Sequence, residues 1–290
     1  PDSSSVHDVI VIHGMWSHSA VAAPLCNVVA ERGYRVHPLN LPAHDPTAKE
    51  QARDVATVSL GVYRDAVLQY LDELSPKGQV TLIGHSMGGL IAQMVAANYP
   101  IDHLVLLNSA GPAGINHISP SSLLSARHVF RRLRFWKHAH KPSYEQARDG
   151  LLNALDEPTA RKVYRGLIAE SGRAFAEIVL WFLDKGRASA LPRHIPGTKL
   201  IITAGQDRIV TASVGEALAA RYPDATVLEY PDNGHWLFHE PGSNRIFQDI
   251  ADWLESVAEL DRHVLAHHEQ PKSKSLQRPR PPQRRSSAAR

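Results

Sequence analysis

The sequence predicts an α/β fold, a mostly parallel sheet with helices on both faces and one helical insert. Three observations predict it. Short runs rich in apolar and β-branched residues recur at 6–12, 34–41, 80–83, 103–108, 199–204 and 225–230. Between most of them lie stretches of helical periodicity long enough to cross a sheet and return. The runs are near-continuous rather than alternating in apolar residues, which is the pattern of strands buried on both faces. The alternation lapses over 112–196 and again beyond 262. The expected organisation is therefore a core of 1–111 and 197–262, an insert of 112–196 and a tail of 263–290.

The first run, 6–12, ends at HGMW (13–16), and a helix over 20–31 follows, stopped by Gly33. The run at 34–41 leads into PAHDP (42–46). One long helix is expected over 49–74, because Tyr63, Val67, Tyr70, Leu71 and Leu74 share a helical face, and Pro76 and Gly78 end it. The central stretch, 80–90, reads VTLIGHSMGGL: a buried strand, a glycine-rich turn and the start of a helix that continues through Ala97. Pro100 precedes the run at 103–108. Further on, 199–204 leads to GQDR (205–208), with a helix at 214–222 and a strand at 225–230. In the last helix, 243–257, Ile246, Ile250, Trp253, Leu254 and Val257 fall on one face. The insert opens on the loop residues Pro112, Gly114 and Pro120 and has helical spacing at 151–155 and at Phe175, Ile178, Val179 and Phe182, with no strand expected. Placed after a sheet strand, it would cover the edge where strands end, as a lid.

With 43% apolar and 21% charged residues, the 290-residue chain is ordinary for a globular protein with a substantial core. The single Cys26 excludes an internal disulfide and suits a reducing compartment, so a cytoplasmic location is expected. No apolar run approaches the roughly 18 residues of a membrane span, and the opening PDSSS does not read as a signal peptide. The net charge of +3 is uneven: 270–290 hold seven Lys and Arg and no acid, leaving the remainder at −4. That tail, rich in Pro, Arg and Ser, is expected to be disordered. It could hold polyanions non-specifically, although a solvated extension is the preferred reading and a nucleic-acid partner is not expected.

The pentapeptide Gly84-His85-Ser86-Met87-Gly88, set between a strand and a helix, has the form of a nucleophile elbow. A tight turn of this kind strains the serine backbone and lifts its hydroxyl off the sheet at the positive end of a helix. Small residues must flank it, here Gly84, Gly88 and Gly89. A serine hydroxyl needs a base to take its proton and an acid to orient that base. Asp207 and His235 follow Ser86 in the chain order of an elbow site, each just past a strand, at the sheet edge that carries Ser86. Taken alone, Asp207 could cap the next helix and His235 could be a core histidine. Glu229 and Asp232 compete as acid and His239 as base. Backbone amides must meet the developing oxyanion; Met87, directly after the nucleophile, is one, and Met15, next to Gly14 in the first loop, is the other. His13 reads as structural.

With these residues in hand, the chain resembles the α/β-hydrolase fold superfamily, within it the small, helical-lid group of serine esterases and related hydrolases. The resemblance rests on His13-Gly14, Gly84–Gly89, Gly205-Gln206-Asp207 and Asn233-Gly234-His235, and covers about 6–258. It implies Ser86 as nucleophile, His235 as base, Asp207 as orienting acid, and no metal or organic cofactor. Two features depart from the pattern: the antiparallel strands that often open this fold are missing or shortened, and PAHDP replaces a small-Gly-His-Gly loop.

The expected activity is hydrolysis of a small-molecule carboxylic ester, thioester or lactone through an acyl-enzyme on Ser86. A carbon–carbon bond hydrolase with the same triad is the alternative within enzymes, and a non-catalytic binding or receptor protein the alternative outside them. Trp16 and Arg173 are the candidate substrate contacts, Arg173 as a clamp for a carboxylate. Arg127, Arg131, Arg132, Arg134, Lys137 and Lys141, interleaved with Phe130, Phe135 and Trp136, read as a solvated helix face with its aromatics buried. His117, His128, His138 and His140 lack a metal-ligand pattern.

Overall fold

The computed structural model describes residues 6–117, 129 and 132–268, the last eight by backbone alone. Six strands form one sheet: β1 (Asp8–Ile12), β2 (Arg35–Leu39), β3 (Val80–His85), β4 (His103–Leu107), β7 (Thr198–Ala204) and β8 (Thr226–Tyr230). Their order is β2-β1-β3-β4-β7-β8, and every pairing is parallel. All residues of β1, β3 and β4 are buried, so both faces of the central sheet are covered. The outer strands β2 and β8 are partly exposed. Pro38 sits in β2 because an edge strand has one side on which no donor is needed.

The chain runs outward from β1 to β2 and then returns to place β3 on the other side of β1. That reversal opens a crevice between the carboxyl ends of β1 and β3, the place where open parallel sheets bind their ligands. Helix α1 (Ala23–Glu31) fills the first crossover, α3 (Leu60–Leu74) the second, and α4 (Met87–Ala96) the third. All ten residues of α4 are buried, and its one polar side chain, Gln93, is fully bonded. Its amide donates to Gly89, Ser109 and Ala110, and its oxygen accepts from the Tyr222 hydroxyl. A buried amide without those partners would cost a few kcal/mol, on the order of 1–3.

The helix expected over 49–74 is two helices, α2 (Gln51–Val55) and α3, with Ser59 capping the second through Val62 N–H at 3.2 Å. The break is held from outside the segment. The Ser171 hydroxyl donates to the carbonyl of Val58 at 2.6 Å, and the Glu177 carboxylate accepts Leu60 N–H at 2.8 Å. Helix α8 (Ala212–Arg221) follows β7. Helix α9 (Ser243–His268) runs past the expected end at 257 and the tail boundary at 263. The described residues up to Trp253 form one compact unit, and those from Leu254 to His268 belong to a second. No helix among the described residues is long and apolar enough to cross a membrane. The seven basic residues of 270–290 lie outside the described residues, as do Arg127, His128, Phe130 and Arg131.

Between β4 and β7 the insert carries α5 (Tyr144–Asp149), α6 (Glu157–Gly166) and α7 (Gly172–Val179). It also contains a short antiparallel pair that the sequence pattern did not suggest, β5 (Ala139–His140) with β6 (Glu170–Ser171). Two residues per strand are too few to leave a periodic signal. Of the basic run, Arg132, Arg134 and Lys137 are exposed and Phe135 buried as expected; Trp136, at 44% exposure, is not buried.

The insert is fastened to the core by a buried polar cluster. Glu170 accepts from His44 Nε2 at 3.0 Å, from the Tyr63 hydroxyl at 2.7 Å and from Ser171 N–H at 2.7 Å. Gln51 bonds Ala43 and Ala169 at the same seam. His44 Nδ1 faces the Pro42 carbonyl at 2.9 Å, so both ring nitrogens meet acceptors and the imidazole carries two protons. Burial lowers the His44 pKa, but the charge and hydrogen bond of Glu170 outweigh it, and the net shift is upward from the ordinary value. A raised folded-state pKa means that this stabilisation is fully present below the unfolded value of about 6.5 and is lost as pH rises through the folded one. The melting temperature of the wild type should therefore fall more steeply above pH 6.5 than that of Glu170→Gln. Parallel melts of the two across that range check it; equal slopes would refute the charged pair.

Candidate active site

Three strand ends and one loop bring the candidate residues together. Ser86 directly follows β3 with φ of 54° and ψ of −121°, a positive-φ backbone that a serine adopts only under constraint. The constraint is visible: Ser86 N–H donates to the carbonyl of Leu107 at 3.0 Å, and its own carbonyl accepts from Ala110 at 3.0 Å. Trp16, Ala43 and Asn108, past the ends of β1, β2 and β4, also have positive φ. Strain is thus gathered along the carboxyl edge of the sheet.

The glycines show how tightly the turn is built. A Cβ at Gly84 would lie 2.4 Å from the Gly88 carbonyl, and one at Gly88 would lie 2.3 Å from that of Ile12. A Cβ at Gly14 would lie 2.9 Å from Ser86 Cβ, so the first loop passes directly against the serine.

His235 follows β8, and its Nε2 stands 3.0 Å from Ser86 Oγ. Its Nδ1 lies 2.7 Å from Asp207 Oδ2, a carboxylate oxygen that can only accept, so Nδ1 carries the proton and Nε2 is left to accept from the serine. Asp207 is fixed in turn, its Oδ1 accepting Ile209 and Val210 N–H, each at 2.8 Å. Both Asp207 and His235 are buried. His85, beside the serine, donates through Nε2 to the His235 carbonyl at 2.8 Å, and burial followed by the neighbouring His235 lowers its pKa to about 3. It is a neutral brace for the loop.

The competitors are elsewhere. Glu229, Asp232 and His239 are exposed, and His239 Nδ1 accepts from the Trp236 indole at 3.1 Å. His13 is structural, donating to the Gly14 carbonyl and accepting Leu41 N–H. Met87 begins α4, and neither its amide nor that of Met15 donates to a backbone carbonyl among the described residues. Among the described residues, the N–H of Met87, directly after Ser86 at a helix N-terminus, and that of Met15, next to Gly14, are thus unengaged.

Both expected substrate contacts have other partners. The Trp16 indole donates to the His140 carbonyl at 2.9 Å, and its own carbonyl accepts Ile168 N–H at 3.0 Å, so this buried side chain joins the first loop to the insert. Arg173 pairs with Glu177 at 2.9 Å while its side chain remains 55% exposed. Its charge is already matched, which removes the reason for reading it as a carboxylate clamp. Residues that sequence reasoning missed surround the histidine: Glu240 bonds the His235 loop at three points, and Asn108 donates to the Gly234 carbonyl at 2.9 Å. A glutamate five residues after a histidine carries no distinctive spacing signal, and Asn108 has only its place at a strand end.

A sequence model of the alpha/beta hydrolase family matches residues 9–243, from the first strand to the start of the last helix. The chain belongs to that family. It is 28% identical over 271 residues to a pimeloyl-[acyl-carrier protein] methyl ester esterase of Chromobacterium violaceum, a match that covers 87% of this chain and 95% of that protein. Among solved structures of the fold, it is similar to a methylesterase from Arabidopsis, with a TM-score of 0.66 at 15% identity over 86% of this chain and 99% of the other. It is also similar to a monoacylglycerol lipase of Paleococcus ferrophilus, with a TM-score of 0.64 at 20% identity, covering 86% and 94%.

Proposed function

We propose that this alpha/beta hydrolase is a serine-dependent hydrolase of carboxylic esters. The observation that carries the reading is the continuous relay from Ser86 Oγ through His235 to Asp207, at 3.0 and 2.7 Å, mounted on a strained strand-to-helix turn. In the proposed reaction, Ser86 Oγ attacks the ester carbonyl as His235 Nε2 accepts its proton. Asp207 holds the ring in the required tautomer and stabilises the imidazolium. The Met15 and Met87 amides receive the oxyanion, and stabilisation of that kind is worth about 3–4 kcal/mol per donor in comparable sites. His235 then protonates the departing alcohol, and water, activated by the same imidazole, releases the acid from Ser86.

The insert would act as the lid of the site. Its anchoring through Glu170 and its links to the first loop through Trp16 favour a preformed wall over a freely swinging flap. The Chromobacterium relative is a methyl ester esterase by name, and the Arabidopsis structure is a methylesterase. A small alcohol leaving group is accordingly the first to test. The carbon–carbon alternative loses its one polar candidate now that Arg173 is paired with Glu177.

A panel of p-nitrophenyl esters of rising acyl length, beside methyl esters of the same acids, tests the proposal, with fluorophosphonate labelling of Ser86 run in parallel. Turnover together with labelling is the expected result, and the length profile measures the acyl pocket. Labelling without turnover on any ester would shift the reading to another bond. Neither would leave a binding protein on a hydrolase fold.

A further inference from the structure

The loop that presents His235 is held by a second buried carboxylate outside the relay. Glu240 Oε2 accepts Gly234 N–H at 2.7 Å and the Asn233 side-chain amide at 3.2 Å, while Oε1 accepts Trp236 N–H at 3.0 Å. The residues immediately before and after His235 are thus both tied to one side chain, which is 5% exposed. The opposite side of the loop is held by neutral groups, Asn108 on the Gly234 carbonyl and His85 on the His235 carbonyl. Gly234 leaves room for the contact: a Cβ there would come within 3.1 Å of Glu240 Oε1 and 3.0 Å of Ala154 Cβ.

We propose that Glu240 is a positioning residue for His235, fixing the loop that aims Nε2 at Ser86 and supplying a fixed negative charge that favours the imidazolium formed when Ser86 gives up its proton. The proposal rests on the reading of Ser86, His235 and Asp207 as a catalytic relay. All three contacts of Glu240 are donors, so an ionised carboxylate satisfies them and a protonated one would lack an acceptor for its hydrogen. Burial raises the Glu240 pKa; the Gly234, Asn233 and Trp236 donors, together with the charge of His235, offset that rise only in part, and the net direction is upward from the ordinary carboxylate value. A neutral cap of the same shape could hold the loop, but it could not exert the charge effect. The groups that face His235 are then Asp207 by direct hydrogen bond, His85 by ring contact at 5.0 Å, Ser86, and Glu240 through space.

Glu240→Gln separates the two roles. It removes the charge and turns an NH2 toward donors that need an acceptor. The expected result is a fall in kcat of about tenfold to a hundredfold with KM within about twofold, because a misaimed base costs the transition state rather than binding. The acidic limb of the pH–rate profile should move to lower pH by roughly one pH unit, the scale of one neighbouring buried charge lost. The same downward movement should appear in the 15N-imidazole NMR titration of His235, which requires no turnover. A folded E240Q with wild-type kcat and an unmoved His235 midpoint overturns the proposal. So does a loss of kcat with an unmoved midpoint, which assigns Glu240 a purely structural part. Should E240Q fail to fold, Glu240→Asp carries the test: the charge stays, the carboxylate withdraws by one methylene, and kcat falls while the midpoint holds; wild-type kcat in E240D overturns the positioning role. If the wild type neither turns over esters nor labels, the hydrolase reading fails, whereas the NMR comparison still decides whether Glu240 acts on His235.

Discussion

Ser86→Ala is expected to lower kcat on the best ester substrate by about 10⁶-fold while leaving the melting temperature within a few degrees of wild type. The magnitude follows from what is removed. Loss of the nucleophile forfeits the acyl-enzyme route altogether, and comparable sites retain only the part of the rate supplied by the oxyanion amides and by binding. The small effect on stability follows from what remains. Alanine keeps the Cβ that packs against Gly14, and the backbone bonds of residue 86 to Leu107 and Ala110 do not involve the hydroxyl. Asp207→Asn should cost less, about 10⁴-fold, since it leaves the nucleophile in place but lets the imidazole adopt the wrong tautomer. Steady-state kinetics beside thermal melts check both. Ser86→Ala activity within tenfold of wild type would rule out the serine mechanism.

The second large effect is structural. Gly88→Ala places a methyl group 2.3 Å from the Ile12 carbonyl and 2.4 Å from that of His13. These are backbone atoms at the end of β1, a strand paired on both sides, so no side chain can rotate out of the way. Helix α4 must move off the sheet, taking with it the Met87 amide and the turn that carries Ser86. Overpacking against movable side chains typically costs about 1–3 kcal/mol; against rigid backbone the loss should reach the top of that range or exceed it, with turnover abolished in whatever folds. Gly166→Ala is the control, because a Cβ there meets nothing within 4 Å. That substitution should be neutral or stabilising by a few tenths of a kcal/mol to about 1. Gly88→Ala protein that melts and turns over like the wild type would show that the elbow is looser than its geometry implies.

Legibility in the sequence followed burial. All six sheet strands could be read; β1, β3 and β4 most directly, because they are buried on both faces and carry near-continuous apolar runs, with polar residues only at Asp8, Thr81, His85 and His103. The elbow was legible for a steric reason: only glycine fits at 84 and 88, so the clash that shapes the turn is written directly into the residues. Where one part of the chain is decided by a remote part, the sequence signal failed. The face shared by Tyr63, Val67, Tyr70, Leu71 and Leu74 predicts one helix over 49–74 and carries no sign of the break before Ser59, which depends on Ser171 and Glu177, more than a hundred residues away. Arg173 looked available for a substrate until its partner one helical turn on, Glu177, was seen beside it.

The sequence by itself determined the family, the parallel sheet and the chain order in which Ser86, Asp207 and His235 occur, because each depends on local sterics, on periodicity or on position at a strand end. Only the tertiary structure decided which nitrogen of His235 faces the serine, how the insert is fastened through His44 and Glu170, and that Glu240 reaches back to hold the histidine loop. Hydrogen bonds between side chains far apart in the chain leave no period and no fixed spacing. They exist only once the sheet has brought the separate loops to the same edge.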